Sequence, residues 1–481
     1  MKMDTKERIA KALAVATDTK VFEMGSGVSE MAPQVFRTFF PGRKAVVVAD
    51  VNTWPVLGEK VFAHFVQDGI PTEKYIIDKK EFHAEWKYIE MVDKVIEGDF
   101  AGAKAIEEDE NHVEADARQA FRAPSEDHYI AVSVGSGVIN DLCKLCSHHH
   151  GQQYLTLPTA ASVDGYSSFG ASISWQNAKQ TFECPAPVAI IADIDVIAAA
   201  PKEMTAAGYA DLAAKVPAGA EWMIADWMES EPIVPAAWHV LQDVLDSQLA
   251  HPEAVAAGDL AAVADLFEGL TLSGFAMQAA RSSRPASCCD HLFSHILDMT
   301  HHRFRGKLQS HGFQVAIGTL TMCAAFDEFF RLDLSKIDVD ACVAAWPTLE
   351  QEQERARKVF EGFPAPDLGY EMITKKYDGP EIVRRQLETL RDNWPAFKEK
   401  LQGQVYPFSK MQAMMKTALA PYDPSMIGVT RAALKDMFPK VQLMRHRFNL
   451  LDLGKRAGFY DRLVEGIFRP GGAWDLQQEK S

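Results

Sequence analysis

The sequence predicts an α/β fold in two parts: a parallel sheet flanked by helices over residues 1–199, then an all-helical region over residues 200–481. Before residue 200, short apolar runs rich in β-branched residues alternate with helical stretches, the pattern of a sheet covered on both faces. Beyond Pro201 the strand signals fade and apolar residues recur at helical spacing. A chain of 481 residues, 47% of them hydrophobic, is long enough for more than one domain with a sizeable core.

The elements follow in order. Residues 44–50, Lys-Ala-Val-Val-Val-Ala-Asp, read as a buried strand, with Asn52 and Thr53 as a turn and helix start. Residues 74–78 and 128–134 give further strands, and residues 154–158 and 188–192 complete the parallel core. The stretch 105–127 is polar and acidic and reads as an exposed insertion between strands. In the second part, helical spacing runs from Val315, continues over 382–394 up to Pro395, and resumes over 411–418. Pro364, Pro366 and Gly369 mark a loop, and Gly471-Gly472 mark the tail.

Charge and cysteine usage narrow the class. A formal net charge of −16 argues against nucleic acid or an anionic membrane surface as the main partner, but permits a small phosphorylated molecule held in a local pocket. The N-terminus is too charged for a signal-peptide core, and no apolar run approaches a membrane span. A cytoplasmic protein without membrane insertion is expected. Seven cysteines at irregular spacing do not form a disulfide framework. Cys143 and Cys146 form a C-x-x-C that reads as helix packing, with zinc or redox chemistry as the alternative. His148, His149 and His150 read as the solvated last turn of that helix. Cys288 and Cys289 read as small packing residues.

Several residue groups can carry chemistry. Asp211 lies in a small-residue run typical of a tightly packed helix start, His291 and His295 are four apart and share a helix face, and His311 opens another apolar helical stretch. One carboxylate and two imidazoles from Asp211, His291 and His311 suit Zn, Ni or Fe(II) with a position left open, which can polarise a carbonyl oxygen. Three unrelated polar residues around a helical core are the plainer alternative. The run Gly135-Ser136-Gly137 follows a strand and starts a helix, where a pyrophosphate can approach backbone amides in a Rossmann-like domain. A third glycine is replaced by Asn140, and a plain strand-to-helix turn reads equally well. Asp50 ends an earlier strand, placed either to bind an adenosine ribose or to cap a helix. Residues 158–166 add Thr159, Ser162 and Asp164 at the end of the next strand, where ligands bind in open α/β sheets.

The strings Val-Gly-Ser-Gly-Val-Ile-Asn-Asp, Pro-Thr-Ala-Ala-Ser-Val-Asp-Gly-Tyr-Ser-Ser and Ala-Ile-Ile-Ala-Asp-Ile-Asp-Val-Ile resemble glycerol-1-phosphate dehydrogenases. So do Ala-Pro-Lys-Glu-Met-Thr-Ala-Ala-Gly-Tyr-Ala-Asp, Ser-Arg-Pro-Ala-Ser and His-Gly-Phe-Gln-Val-Ala-Ile-Gly-Thr-Leu. That family sits within the group of iron-containing alcohol dehydrogenases, glycerol dehydrogenase and dehydroquinate synthase. The resemblance is dense over residues 21–321 and thinner beyond.

It implies a dehydroquinate synthase-like fold, with a dinucleotide-binding domain over 1–199, a metal and substrate domain over 200–481, and chemistry in the cleft between them. It also implies NAD or NADP, one divalent metal (zinc foremost, nickel or iron as alternatives), and reversible reduction of dihydroxyacetone phosphate to sn-glycerol 1-phosphate by a homo-oligomer. By resemblance, Asp211, His291 and His311 are the metal ligands and Asp164 lies near the nicotinamide and substrate. Gly135, Ser136, Gly137, Asp141, Thr159, Ser162 and Asp50 go to the cofactor.

The chain departs from the family at Ala210, at Cys288-Cys289-Asp290 where Gly-Ser-Glu is usual, and at Phe313, which removes a carboxylate that could support a ligand. His295, one helical turn from His291, is the candidate for the proton relay or, alternatively, a helix histidine bonded to a backbone carbonyl, while Arg284 and Lys215 are the nearest cations for a substrate phosphate or, alternatively, structural ion-pair partners. The competing readings are a polyol dehydrogenase on an unphosphorylated substrate, a dehydroquinate-synthase-like lyase, and a non-catalytic relative.

Overall fold

The computed structural model describes residues 5–109, 112–117, 120–176 and 178–479. The chain forms two compact units that interleave along the sequence. One comprises Met1–Leu212 with His239–Ser282, the other Ala213–Trp238 with Ser283–Ser481. Compactness therefore divides the chain differently from a single boundary at residue 200, because helices Lys202–Ala213 and Leu260–Ala280 fall largely in the unit that contains the sheet.

The strands of the first unit are β1 (Val21–Gly25), β2 (Ala45–Asp50), β3 (Thr72–Ile77), β4 (Ile130–Gly135), β5 (Leu155–Pro158), β6 (Ala171–Trp175), β7 (Ala178–Phe182) and β8 (Ala189–Asp193). Six of them form a parallel sheet in the order β1-β8-β5-β4-β2-β3, and β6 and β7 pair separately as an antiparallel hairpin. Strand β2 is buried along its whole length. Val46 and Val48 enter one apolar cluster while Ala45, Val47 and Ala49 enter the other, so helices cover both faces. The expected strands all appear, and β1 adds an edge that the sequence did not signal. Its residues, Val-Phe-Glu-Met-Gly, are mostly half-buried and lack the continuous β-branched run of a central strand. Chain order reverses between β2 and β4, the switch point at which open α/β sheets take ligands beyond their carboxyl ends.

Two expectations about this unit are corrected. His149 and His150 are not a solvated turn: both are buried, His149 Nδ1 lies 2.9 Å from Asp93 Oδ2, and His150 Nε2 lies 3.3 Å from Asp93 Oδ1. A buried carboxylate draws the imidazoles inward, since an unpaired one would be costly. Helix Leu260–Ala280 is long and apolar enough to cross a membrane by length and composition, contrary to the expectation that no run comes near that. It is mostly buried, and its Glu268 pairs at 2.8 Å with Arg8, which makes it a core helix. The insertion is partly tied down: Trp175 Nε1 donates to Ala115 O at 3.3 Å, while residue 110 of its acidic stretch lies outside the described residues.

The second unit is helical apart from a small ladder of Arg303–Phe304 with Lys307–Leu308. Its helices include Lys215–Trp227, Cys289–Met299, His311–Phe329, Pro380–Gln404, Arg431–Leu443 and Leu450–Arg456. Pro395 was expected to end a helix, yet Pro380–Gln404 runs through it. Pro395 is exposed, so the carbonyl deprived of its usual donor faces water, while Trp394 and Phe397 on the opposite face hold the helix to the core.

Candidate active site

In the first unit, the proposed cofactor residues gather at the carboxyl ends of the strands. The register Gly135↔Pro158 sets the ends of β4 and β5 side by side, and Thr159 N donates to Gly135 O at 3.1 Å. A Cβ on Gly135 would meet the Ile139 side chain at 2.7 Å, so the tight strand-to-helix turn itself requires glycine. Helix Gly137–His149 begins after Ser136, whose side chain makes no capping bond; the Gly137 amide donates to the Tyr166 hydroxyl, and the next first-turn amides are of the kind that receive a phosphate. The amide-rich turn thus fits a pyrophosphate.

Asp50 is buried, and its Oδ1 accepts from Asn52 N at 2.8 Å and Thr53 N at 2.9 Å, the geometry of a cap. Asp141 holds the β6–β7 hairpin, accepting from Ser172 N at 3.2 Å beside Lys144 Nζ at 3.3 Å.

Asp164 and Asp211 meet on this unit. Helix Lys202–Ala213 packs so closely on the strand-end loop that a Cβ on Gly208 would fall on the Ala161 carbonyl. Asp164 N donates to Asp211 Oδ2 at 2.9 Å, and Ser273 Oγ donates to Asp164 Oδ2 at 2.8 Å. Asp211 is fully buried. Ser162 Oγ stands 3.4 Å from Tyr166 OH. Ser273 lies on a helix distant in sequence, and nothing in the linear pattern announces it.

In the second unit, His291 on helix Cys289–Met299 and His311 at the start of helix His311–Phe329 face each other with ring centroids 5.2 Å apart. Gly318 permits this, because a Cβ there would fall on the Asp290 carbonyl. Asp290 Oδ2 makes a short contact with His291 Nδ1, and Ser294 Oγ lies 3.2 Å from His311 Nδ1 while donating to Gln314 Oε1 at 2.7 Å. Engaging both Nδ1 atoms turns each Nε2 into the nitrogen a metal would use. Asp290, standing where Glu is usual, supplies the carboxylate beside His291, and its adjacency to His291 was the available signal. This donor chemistry fits a borderline divalent ion. His295, one turn on, is half-buried.

Arg284 is not placed to hold a phosphate. It is fully buried, and its guanidinium donates to Glu221 O at 2.7 Å, Phe448 O at 3.0 Å and Cys288 Sγ at 3.2 Å. Lys215 is fully buried at the start of its helix. Ligand-type atoms of Glu221, Cys288 and Cys289 lie within 4.8 Å of one another, but Glu221 already accepts from Cys289 N at 3.0 Å and Leu450 N at 3.1 Å. Burial pushes both thiols up, as it does the Glu221 carboxyl, which Asp290 raises further. This is a packing cluster whose carboxylate is already occupied by backbone amides.

The family model of iron-containing alcohol dehydrogenases matches residues 88–201. An NAD(P)+ glycerol-1-phosphate dehydrogenase from Geobacillus thermodenitrificans is 31% identical over 291 residues, covering 59% of this chain and 71% of that protein. The chain belongs to the glycerol-1-phosphate dehydrogenase family, within the iron-containing alcohol dehydrogenases. A like-named relative from Halalkalibacterium halodurans is 30% identical over 58% of this chain, and the chain spans 64% of its length, less than two thirds. The solved structure of a probable glycerol dehydrogenase from Sinorhizobium meliloti shares the fold at a TM-score of 0.54 and 16% identity, covering 93% of this chain and 96% of that one. That shared fold agrees with the sheet covered on both faces and the helical second part expected from the sequence.

Proposed function

We propose that this protein is a cytoplasmic, homo-oligomeric, metal-dependent oxidoreductase that reduces dihydroxyacetone phosphate reversibly to sn-glycerol 1-phosphate with NADH or NADPH. The observation that carries the reading is the His291–His311 pair, the first ring buried and the second half-buried, with each Nδ1 engaged, by Asp290 and by Ser294. A packing role alone gives no reason to orient both rings in that way. Asp211, in the last turn of its helix and not at a helix start as expected, is the third ligand that the family resemblance implies, which gives a set of one carboxylate and two imidazoles. Zinc is the foremost candidate, with nickel or iron as alternatives.

Bound NAD(P)H supplies the hydride, and a divalent ion stabilises the charge that develops on the carbonyl oxygen. The chain's own groups do the positioning. The amides after Gly135 receive the pyrophosphate, and Thr159 and Ser162 line the strand ends. Ser273 fixes Asp164, the residue that would lie near the nicotinamide and substrate hydroxyls. His295 delivers the proton to the alkoxide oxygen, directly or through water. The Arg284 contacts favour a second reading, a polyol dehydrogenase on an unphosphorylated substrate, because they occupy a cation otherwise available to a phosphate.

The test is NADH and NADPH oxidation with dihydroxyacetone phosphate and with dihydroxyacetone, on enzyme as purified, chelator-stripped, and refilled with zinc, nickel or iron. Turnover of the phosphate that disappears on stripping and returns with one ion is expected. Turnover of dihydroxyacetone alone assigns the polyol reading, and silence on both substrates overturns both.

A further inference from the structure

The second unit contains a cationic turn that the sequence did not single out. Arg445, His446 and Arg447 link helices Arg431–Leu443 and Leu450–Arg456. Arg445 and His446 are exposed and Arg447 is half-buried. The turn is tied to the segment that opens the His291 helix: Arg447 Nη1 donates to Ser287 O at 3.3 Å. Glu221 fastens both pieces at once, accepting from Cys289 N at 3.0 Å with one carboxylate oxygen and from Leu450 N at 3.1 Å with the other. The cations are thereby held in fixed register with the residues just before His291.

The groups acting on His446 and Arg447 are Arg284, Lys375, Arg445 and, on the acidic side, the Cys288 thiol and Glu231, which already stands 3.4 Å from Arg284 Nε. Among the described residues Arg445 has no ion pair and no side-chain hydrogen bond. Although solvent reaches it, its surroundings are dense enough for burial to lower its pKa, and burial pushes Arg447 down to about 10 despite Glu231. An exposed guanidinium without a counter-ion, set beside two further basic groups in a chain of net charge −16, suits an anion from outside. A guanidinium fork matches a phosphate with two parallel hydrogen bonds.

We propose that Arg445, backed by His446 and Arg447, binds the phosphate group of the substrate. This rests on the function proposed above and supplies the phosphate-holding cations that Arg284 cannot provide. It commits to a phosphate monoester dianion on the substrate, not to the 2′-phosphate of NADPH.

The test is calorimetric titration of the full-length protein with sn-glycerol 1-phosphate and with inorganic phosphate, without cofactor, on wild type, R445Q and R445K. R445Q is expected to weaken both ligands about tenfold or more, and R445K to recover part of the loss. Unfolding temperature and NADH affinity are expected to stay as in wild type, showing that the fold is intact. Equal affinity in R445Q and wild type overturns the proposal whether or not the enzyme turns over dihydroxyacetone phosphate. So does a wild type that binds neither ligand, or a loss confined to NADPH. Phosphate binding through Arg445 without turnover would uphold the anion site and count against the reaction.

Discussion

The two units hold their functional residues by different means. In the first, Gly135, Thr159 and Asp164 lie on turns at strand ends, joined largely through main-chain groups such as Thr159 N to Gly135 O and Asp164 N to Asp211 Oδ2. In the second, His291 and His311 lie on separate helices, brought together at Gly318 and aimed by the side chains of Asp290 and Ser294. A turn site is written in a few consecutive residues, whereas a helix site depends on packing between distant ones. Side-chain changes should therefore disturb the second unit's chemistry more readily than the first's.

The sharpest challenge to this contrast is His291→Ala. With a metal ligand lost, kcat/KM is expected to fall about a thousandfold, about 4 kcal/mol, while NADH affinity measured by fluorescence titration stays unchanged. A parallel loss of NADH binding would erase the distinction.

Next in size is Gly318→Leu, which forces a side chain onto the Asp290 carbonyl. It is expected to cost about 3 kcal/mol in denaturant unfolding and to lower metal content on elemental analysis. Full metal occupancy in a stable variant would mean that this helix contact does not set the histidine pair.

Asp93→Asn probes the first unit, where a side-chain network is an exception to main-chain support. Burial works to raise the Asp93 carboxyl, but hydrogen bonds from His149 and then His150 outweigh it and hold the pKa below its ordinary value. A depressed carboxyl contributes stability that is complete above its unfolded value, about pH 4, and is lost as pH falls through the lower folded value. The variant is expected to be less stable by about 2 kcal/mol at pH 7, and the gap should close in acid. Melting temperature against pH checks this, and a constant gap would show that the carboxylate charge is not what matters.

The smallest effect is expected from Asp290→Asn, which keeps the shape beside His291 but removes the charge. Metal affinity, read by chelator competition, should drop about tenfold. Unaltered affinity would leave His291 oriented by packing alone.

The same contrast explains what was readable beforehand. The β4 turn and the strand-end cluster were visible because their residues are contiguous, and the central strands because their apolar runs are continuous. Strand β1 was missed, since an edge strand with Glu23 carries no such run. The histidines before Gly151 looked solvated because Asp93, the carboxylate that buries them, lies on another helix. Arg284 looked available because its acceptors include the carbonyls of Glu221 and Phe448, which no side-chain pattern reveals. Pro395 looked like a stop because sequence does not say which way a helix faces, and an outward proline is tolerated. The cationic turn lies where the family resemblance had thinned, and consecutive basic residues near a helix end ordinarily mean only a solvated loop.

The interleaving of the units has a consequence for synthesis. The last strand of the sheet, β8, is translated by Asp193, yet the sheet unit also needs helix Leu260–Ala280. Phe22 waits for Phe267 and Phe275, its ring partners at 6.3 and 6.1 Å, and Arg8 waits for Glu268. At roughly 5–20 residues per second, the ribosome supplies that helix several seconds after the last strand. Throughout that interval the nascent sheet offers a bare apolar edge, and a chaperone that shields it would serve this protein during translation, before the second unit exists.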